Sequence, residues 1–169
     1  MGSGLVQKNS RKEAEANLER RAFHIFFGSL FPLVAIVVPL WLVTALVALS
    51  LMASLALELA RRRSGWVSRW FLYRFAVLLK REESSRLLGS TYLLMATLAS
   101  FLLFDKYVAI LALLFLSVGD PFAAFIGERW GRNRIGKKSI EGSLAFVVAS
   151  LLVGGLVVGA GVDLSFSVV

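Results

Sequence analysis

Cysteine is absent from the sequence. Disulfides and thiolate metal sites are therefore excluded. Histidine occurs once, as His24, which argues against a zinc centre built from nitrogen and sulfur ligands. Acids are scarce: eleven Asp and Glu stand against nineteen Lys and Arg, for a formal charge of +8. In a soluble chain that excess would raise nucleic acid as a partner. No nucleic acid is expected here, because the bases fall in polar stretches between apolar blocks, as in the cytoplasmic loops of membrane proteins. Hydrophobic residues make up 57% of the chain, above the ~45–50% of ordinary soluble domains. The N-terminal stretch is charged and polar, and the apolar block behind it is too long for a cleavable signal. Val6 stands where a myristoylation pattern needs Ser or Thr.

The fold class expected is an all-α polytopic membrane protein, with about five transmembrane helices and one interfacial amphipathic helix. Residues 1–23 form a cytoplasmic N-terminal region whose 5–23 stretch reads as a polar helix on the membrane face, with Arg11, Glu15 and Glu19 as helical neighbours. From His24 to Leu57 almost nothing is polar. One helix of that length would run ~50 Å against a hydrocarbon core of ~30 Å. Pro32 and Pro39 interrupt it, so two spans are expected, 24–38 and 40–58, with a tight turn near Pro39. Further spans follow at 87–104, 107–126 and 143–161, with Asp105-Lys106 as a minimal loop. In the last of these, Gly155 and Gly159 form a G-x-x-x-G helix-packing face.

The polar stretches 59–86 and 127–142 lie between spans. Within the first, Phe71, Leu72, Phe75, Leu78 and Leu79 share one helical arc. Arg69, Arg74, Lys80 and Arg81 share the other, with Trp66, Trp70 and Tyr73 among them. That pattern suits a helix lying in the headgroup region, or else a loosely wound extension of the second span. Five spans put the N-terminus, 59–86 and 127–142 on one side. Those segments carry eighteen of the nineteen Lys and Arg, leaving Lys106 alone on the other. The positive-inside rule then makes the three segments cytoplasmic and puts the C-terminus on the opposite side of a plasma or endoplasmic reticulum membrane.

Chemistry concentrates between Ser117 and Ala145 (SVGDPFAAFIGERWGRNRIGKKSIEGSLA). Asp120 follows Gly119 at the end of the fourth span. An ionised carboxylate at that boundary needs a compensating cation, either an arginine or a Mg²⁺ whose shell is completed by substrate phosphates. Glu141 is either a cap for the fifth span or a second site carboxylate. Glu128 reads as a solvated partner of Arg132, one turn on. Gly127, Gly131 and Gly136 among Arg129, Arg132, Arg134, Lys137 and Lys138 suit a loop whose N–H groups approach phosphate. Lys137 and Lys138 suit either phosphate neutralisation or a lipid-headgroup anchor. Gly131 to Lys137 nearly spells a P-loop, but Lys138 replaces the Ser or Thr and a membrane span replaces the strand, so a Walker motif is rejected. His24 is a boundary histidine, with an interfacial role by default. Glu82 and Glu83, between Arg81 and Arg86, read as a charged turn.

Three places together resemble the CTP-dependent lipid-alcohol kinases, the family of dolichol kinase, phytol and farnesol kinases and the yeast-type diacylglycerol kinase. Arg20-Arg21-Ala22-Phe23-His24 is similar to the family's Arg-Lys-x-x-His, with Arg21 in place of Lys. Glu83 to Tyr92 (ESSRLLGSTY) is similar to its Glu…Leu-x-Gly-x-x-Tyr segment. Gly119-Asp120-Pro121-Phe122-Ala123-Ala124-Phe125-Ile126-Gly127, then Gly131, then Lys138-Ser139-Ile140-Glu141-Gly142-Ser143, resembles its GDxxAsxxG…G…KSxEGS signature. The resemblance covers roughly residues 20–150. It implies phosphoryl transfer from CTP to a lipid alcohol with Mg²⁺. It also implies catalytic roles for Asp120, His24 and Lys138, and metal binding by Asp120 and Glu141. Nucleotide contacts would fall to Gly119, Gly127, Gly131, Arg132, Lys137, Lys138, Ser139, Gly142 and Ser143, with Arg21 and Glu83 as further members. Family members continue with more spans and an Asp-Asn-x-Thr-x-Pro segment, whereas this sequence stops at Val169. A C-terminally short sequence, or a homo-oligomer that closes its own site, is expected. Two other readings stand beside the kinase: a phosphatidate cytidylyltransferase, which has a Gly-Asp motif of its own but a second, aspartate-rich half that is missing here, and a non-catalytic membrane scaffold.

Overall fold

The computed structural model describes residues 3–65, 88–136 and 138–160. Over these residues the chain is helical apart from one minute hairpin. The first helix, α1, runs from Ser3 to Val37, and α2 from Leu40 to Arg63. The apolar α3 spans Gly89–Leu103. A fourth helix, α4, covers Lys106–Trp130, and α5 covers Ile140–Gly159. Between α4 and α5, β1 (Arg134–Ile135) pairs antiparallel with β2 (Lys138–Ser139).

Four helical stretches are long and apolar enough to cross a membrane: Leu18–Val37, α2, α4 and α5. At 15 residues α3 reaches only ~22 Å, short of a ~30 Å hydrocarbon core. The chain is thus an all-α membrane protein. Pro39 does break the first apolar block, between α1 and α2. Pro32 does not: it is buried inside an unbroken α1. The polar segment expected on the membrane face is the direct continuation of the first span in that same helix. The amphipathic stretch from Trp66 to Arg81, Glu82, Glu83 and Lys137 lie outside the described residues.

The interior is narrow and built from small or branched side chains: Ala35, Val43, Val47, Ala109, Ile110 and Val157, with Phe101. Lipid tails are as apolar as these side chains, so helix association rests on close packing and not on the hydrophobic effect. Hydroxyls within the apolar helices turn back on their own backbone. Thr44, Ser50, Thr97 and Ser100 each donate to the carbonyl four residues earlier, at 2.8 Å.

A buried ion pair fastens α2 to α3. Glu58 and Arg61 are 2% and 5% exposed. The Arg61 guanidinium donates to Glu58 Oε2 at 2.9 Å, and the Leu88 backbone N–H donates to Glu58 Oε1 at 2.6 Å. Leu88 precedes the first residue of α3, so a carboxylate from one helix serves the N-terminal donors of the next, where negative charge is favoured. One helical turn along, the Ser54 and Thr91 hydroxyls are hydrogen-bonded at 2.8 Å. Replacing Glu58 strips the carboxylate from both a buried guanidinium and a helix N-terminus. Glu58→Leu is expected to cost about 3 kcal/mol or more, read as a lowered Tm in detergent micelles. An unchanged Tm would refute this role.

Candidate functional site at the junction of α4 and α5

The site is built where the two last helices cross. Helix α4 is not regular: Lys106–Leu114 is α-helical, Phe115–Gly119 forms a π turn, and Asp120–Trp130 is α-helical again. Pro121 explains the interruption. A proline has no N–H to give to the carbonyl four residues back, here Ser117, and its ring crowds that carbonyl. Opening one turn into a π-bulge relieves the crowding. An extra residue in one turn also rotates everything after it by about 100°. Asp120, first residue past the bulge, is thereby directed into the groove between α4 and α5.

The second half of α4 and the start of α5 run antiparallel at backbone contact. A side-chain carbon on Gly142 would lie 2.7 Å from the Ala123 carbonyl oxygen and 3.3 Å from Gly127 Cα. One on Gly119 would meet the Phe146 ring at 2.7 Å. The centre of this crossing is Ser139. Its side chain is buried, and its Oγ accepts the Gly142 N–H at 3.0 Å, capping α5. Side-chain carbons on Gly127, Gly131 and Gly142 would lie 2.8, 2.7 and 3.0 Å from that same oxygen. Three of the sequence's glycines therefore surround one serine hydroxyl. Two N–H groups at the start of α5 are already engaged: Gly142 on Ser139, and Ile140 on the Asn133 carbonyl at 3.0 Å. The glycine-rich basic loop closes as a tight hairpin, in which Gly136 supplies a turn residue at φ +63°.

A cleft of about 680 Å³ lies over this crossing, within the size range of ligand pockets. Its end at the hairpin carries Glu128, Arg134, Lys138, Ser139 and Ser143, while Asp120 stands about two turns away along α4, next to Gly119, which abuts the Phe146 ring. Its floor is the small residues Ala123, Ala124, Gly127 and Gly142, and its other end is Leu116, Phe146 and Val147. Asp120 has no ion-pair partner among the described residues. The arginine partner considered for it is therefore not present among them.

Other expected members take different places. Glu128 is paired with Arg21 of α1, not with Arg132. The physical reason is that α4 stops at Trp130 and Gly131 turns extended, at ψ 103°, which carries residue 132 off the helical face. Arg21 thus reaches the cleft's edge through Glu128. Glu141 is not part of the cleft wall. Its Oε1 accepts from the Asn133 N–H at 3.1 Å and from Asn133 Nδ2 at 3.3 Å, tying the hairpin to α5. Its Oε2 is buried and unpartnered among the described residues. His24 Nε2 is likewise buried without a partner there. His24 lies one turn from Arg21 and one from Gly28, whose backbone packs on Ser117, so it sits on the face of α1 turned toward α4. It does not line the cleft, nor do Gly119, Gly131 and Arg132.

No family model matches the sequence. The chain is similar to an uncharacterized protein of Rickettsia prowazekii (strain Madrid E), 26% identical over 142 residues, covering 82% of this chain and 69% of that protein. No solved structure matches.

Two features of the site were hidden from the sequence, the π turn and the Arg21–Glu128 pair. Pro121 is the one signal that points to the first. Replacing it removes the reason for the bulge. Pro121→Ala is expected to raise the Tm, by up to ~3 kcal/mol in stability, while turning position 120 away from the cleft. The absence of native cysteine makes this easy to read. Asp120→Cys should react with a water-soluble maleimide at a rate that changes severalfold when Pro121→Ala is added. A lowered Tm with an unchanged labelling rate would show that Pro121 does not hold the bulge open.

Proposed function

We propose that the protein is an integral membrane kinase that transfers the γ-phosphoryl group of CTP to a lipid alcohol. The observation that supports this reading is the composition of one cleft: two bases and two hydroxyls at one end, an apolar end a few turns away, and between them a carboxylate without an ion-pair partner among the described residues. A reaction that joins a charged nucleotide to a membrane-dissolved alcohol needs both ends within one site.

Among the described residues no group of three or more His, Cys, Asp or Glu is arranged to hold a metal by itself. That fits Mg²⁺, which is commonly bound by one or two carboxylates together with substrate phosphates. Asp120 would hold it, and when bound the ion neutralises charge on the transferring group. Lys138 and Arg134 contribute fixed positive charge to the phosphates. The alcohol oxygen forms a bond to the γ-phosphorus, and the bond from that phosphorus to the β–γ bridging oxygen breaks. CDP leaves with the electron pair. The alcohol proton passes to a base, for which Asp120 on the cleft and His24 on the neighbouring helix are the candidates. Because little covalent work falls to the protein in phosphoryl transfer, positioning and charge compensation carry the rate.

The same reading puts the hairpin and the N-terminal end of the first span, which the Arg21–Glu128 pair brings together, in the cytoplasm, where CTP and Mg²⁺ are. Its test uses purified protein in nanodiscs with labelled CTP and a panel of dolichol, phytol, farnesol and diacylglycerol. Released CDP and a phosphorylated alcohol are expected. Asp120→Asn should lower turnover about 10³-fold or more with an unchanged Tm. Pyrophosphate in place of CDP would assign a cytidylyltransferase instead, and an active Asp120→Asn variant would remove Asp120 from the mechanism.

A further inference from the structure

The apolar end of the cleft is not closed by protein. Leu116, in the π turn, is 42% exposed and Val147 of α5 is 51% exposed. Both lie within helices long and apolar enough to cross a membrane. Along α5, the step from Ser139 to Val147 amounts to about 12 Å at the helical rise. The cleft therefore runs from charged groups at the membrane rim to a mouth on the lipid-facing surface, inside the hydrocarbon depth. Between them stands Phe146. Its ring lines the cleft and packs on the backbone at Gly119, which a methyl group would displace.

We infer that the lipid substrate enters this cleft sideways from the bilayer between Leu116 and Val147, and that Phe146 is the residue that gauges its chain. This rests on the lipid-kinase reading for the identity of the head group, but not for the path of the chain. A hydroxyl placed at Asp120 is one turn of α4 from Leu116 and level with the Phe146 ring, with the small residues Ala123 and Ala124 leaving room between it and the bases of the hairpin. The chain passes the Phe146 ring and leaves between the two aliphatic side chains into the lipid. No water-filled passage is needed for the chain. Gly119 matters because it lets the ring lie flush on the π turn. A larger residue there would push Phe146 into the chain's path.

The path can be read without turnover. Wild-type protein in nanodiscs is photolabelled, in the absence of CTP, with a farnesol analogue carrying a diazirine on its tail, and the labelled residues are mapped by mass spectrometry. Labels are expected at Leu116, Phe146 and Val147, competed by unlabelled farnesol. Val147→Trp, with its Tm checked, should reduce them about tenfold, the scale of blocking an apolar subsite. Leu152→Trp, turned about 140° around α5 from Val147 and 65% exposed, should leave them unchanged. With active enzyme, Phe146→Ala should change KM for long-chain alcohols about tenfold with kcat near wild type. Labels spread evenly over the outer faces of α5, uncompeted and indifferent to Val147→Trp, would overturn the inference. Competed labelling at the mouth in a protein that makes no CDP would uphold the path and refute the kinase. CDP formation without labelling at the mouth would do the reverse.

Discussion

Everything at the candidate site depends on how closely two antiparallel helices approach at Ser139. In lipid or at its rim, backbone N–H and C=O groups must find partners within the protein. The link from α4 to α5 is short and polar, and it has to turn the chain without leaving such groups stranded. Ser139 is the solution found here. Its hydroxyl takes one N–H of the next helix, and the Asn133 carbonyl takes another. Glu141 then holds Asn133 from the other side. This works only if three neighbouring positions lack a side chain, because the serine oxygen lies within about 3 Å of where each would be. The glycines are there for contact, and the cleft above them is a consequence: a floor with no side chains leaves a groove.

The π turn is the complementary device on α4. A regular helix with Pro121 at this place would set a ring against a carbonyl in the middle of a membrane span. Opening the turn removes that clash and rotates the following face, so that the acid next to the proline points at the groove. Strain relief and functional orientation come from the same residue. The charge balance is arranged in a similar way. Glu128 lines the cleft, yet its charge is compensated from outside it by Arg21, which leaves Asp120 as the cleft carboxylate without an ion-pair partner among the described residues.

Much of the fold was legible in the sequence, because the bilayer is a simple solvent. The long apolar runs, the break at Pro39 and the minimal Asp105-Lys106 loop follow from hydropathy and proline rules, whereas the Asp105 cap on the Tyr107 N–H was read only in the structure. The limits are equally physical. Pro32 and Pro39 look alike in sequence, and only packing tolerates one inside a helix. Glu58 and Arg61 appear in sequence as the polar end of a span, while in the structure they are buried against Leu88, a partner thirty residues away. Glu128 was matched to Arg132 by helical periodicity, and that rule fails as soon as the helix ends at Trp130. Asp120, Lys138, Ser139, Gly127 and Gly142 do come together, but the glycines and Ser139 form the frame and only Asp120 and Lys138 face the space with charge.

That division bears on how the site meets both of its media. Helix packing without a hydrophobic driving force needs small residues in contact, and small residues in contact leave a shallow groove on the lipid side. A polar hairpin at the rim then adds charge at one end of that groove and nothing at the other. On the proposed reading, a groove with charge at the hairpin and an apolar end open between α4 and α5 suits an amphiphile: a soluble ligand would leave the Leu116–Val147 end uncovered, and a wholly apolar one would leave Asp120 and Lys138 uncompensated.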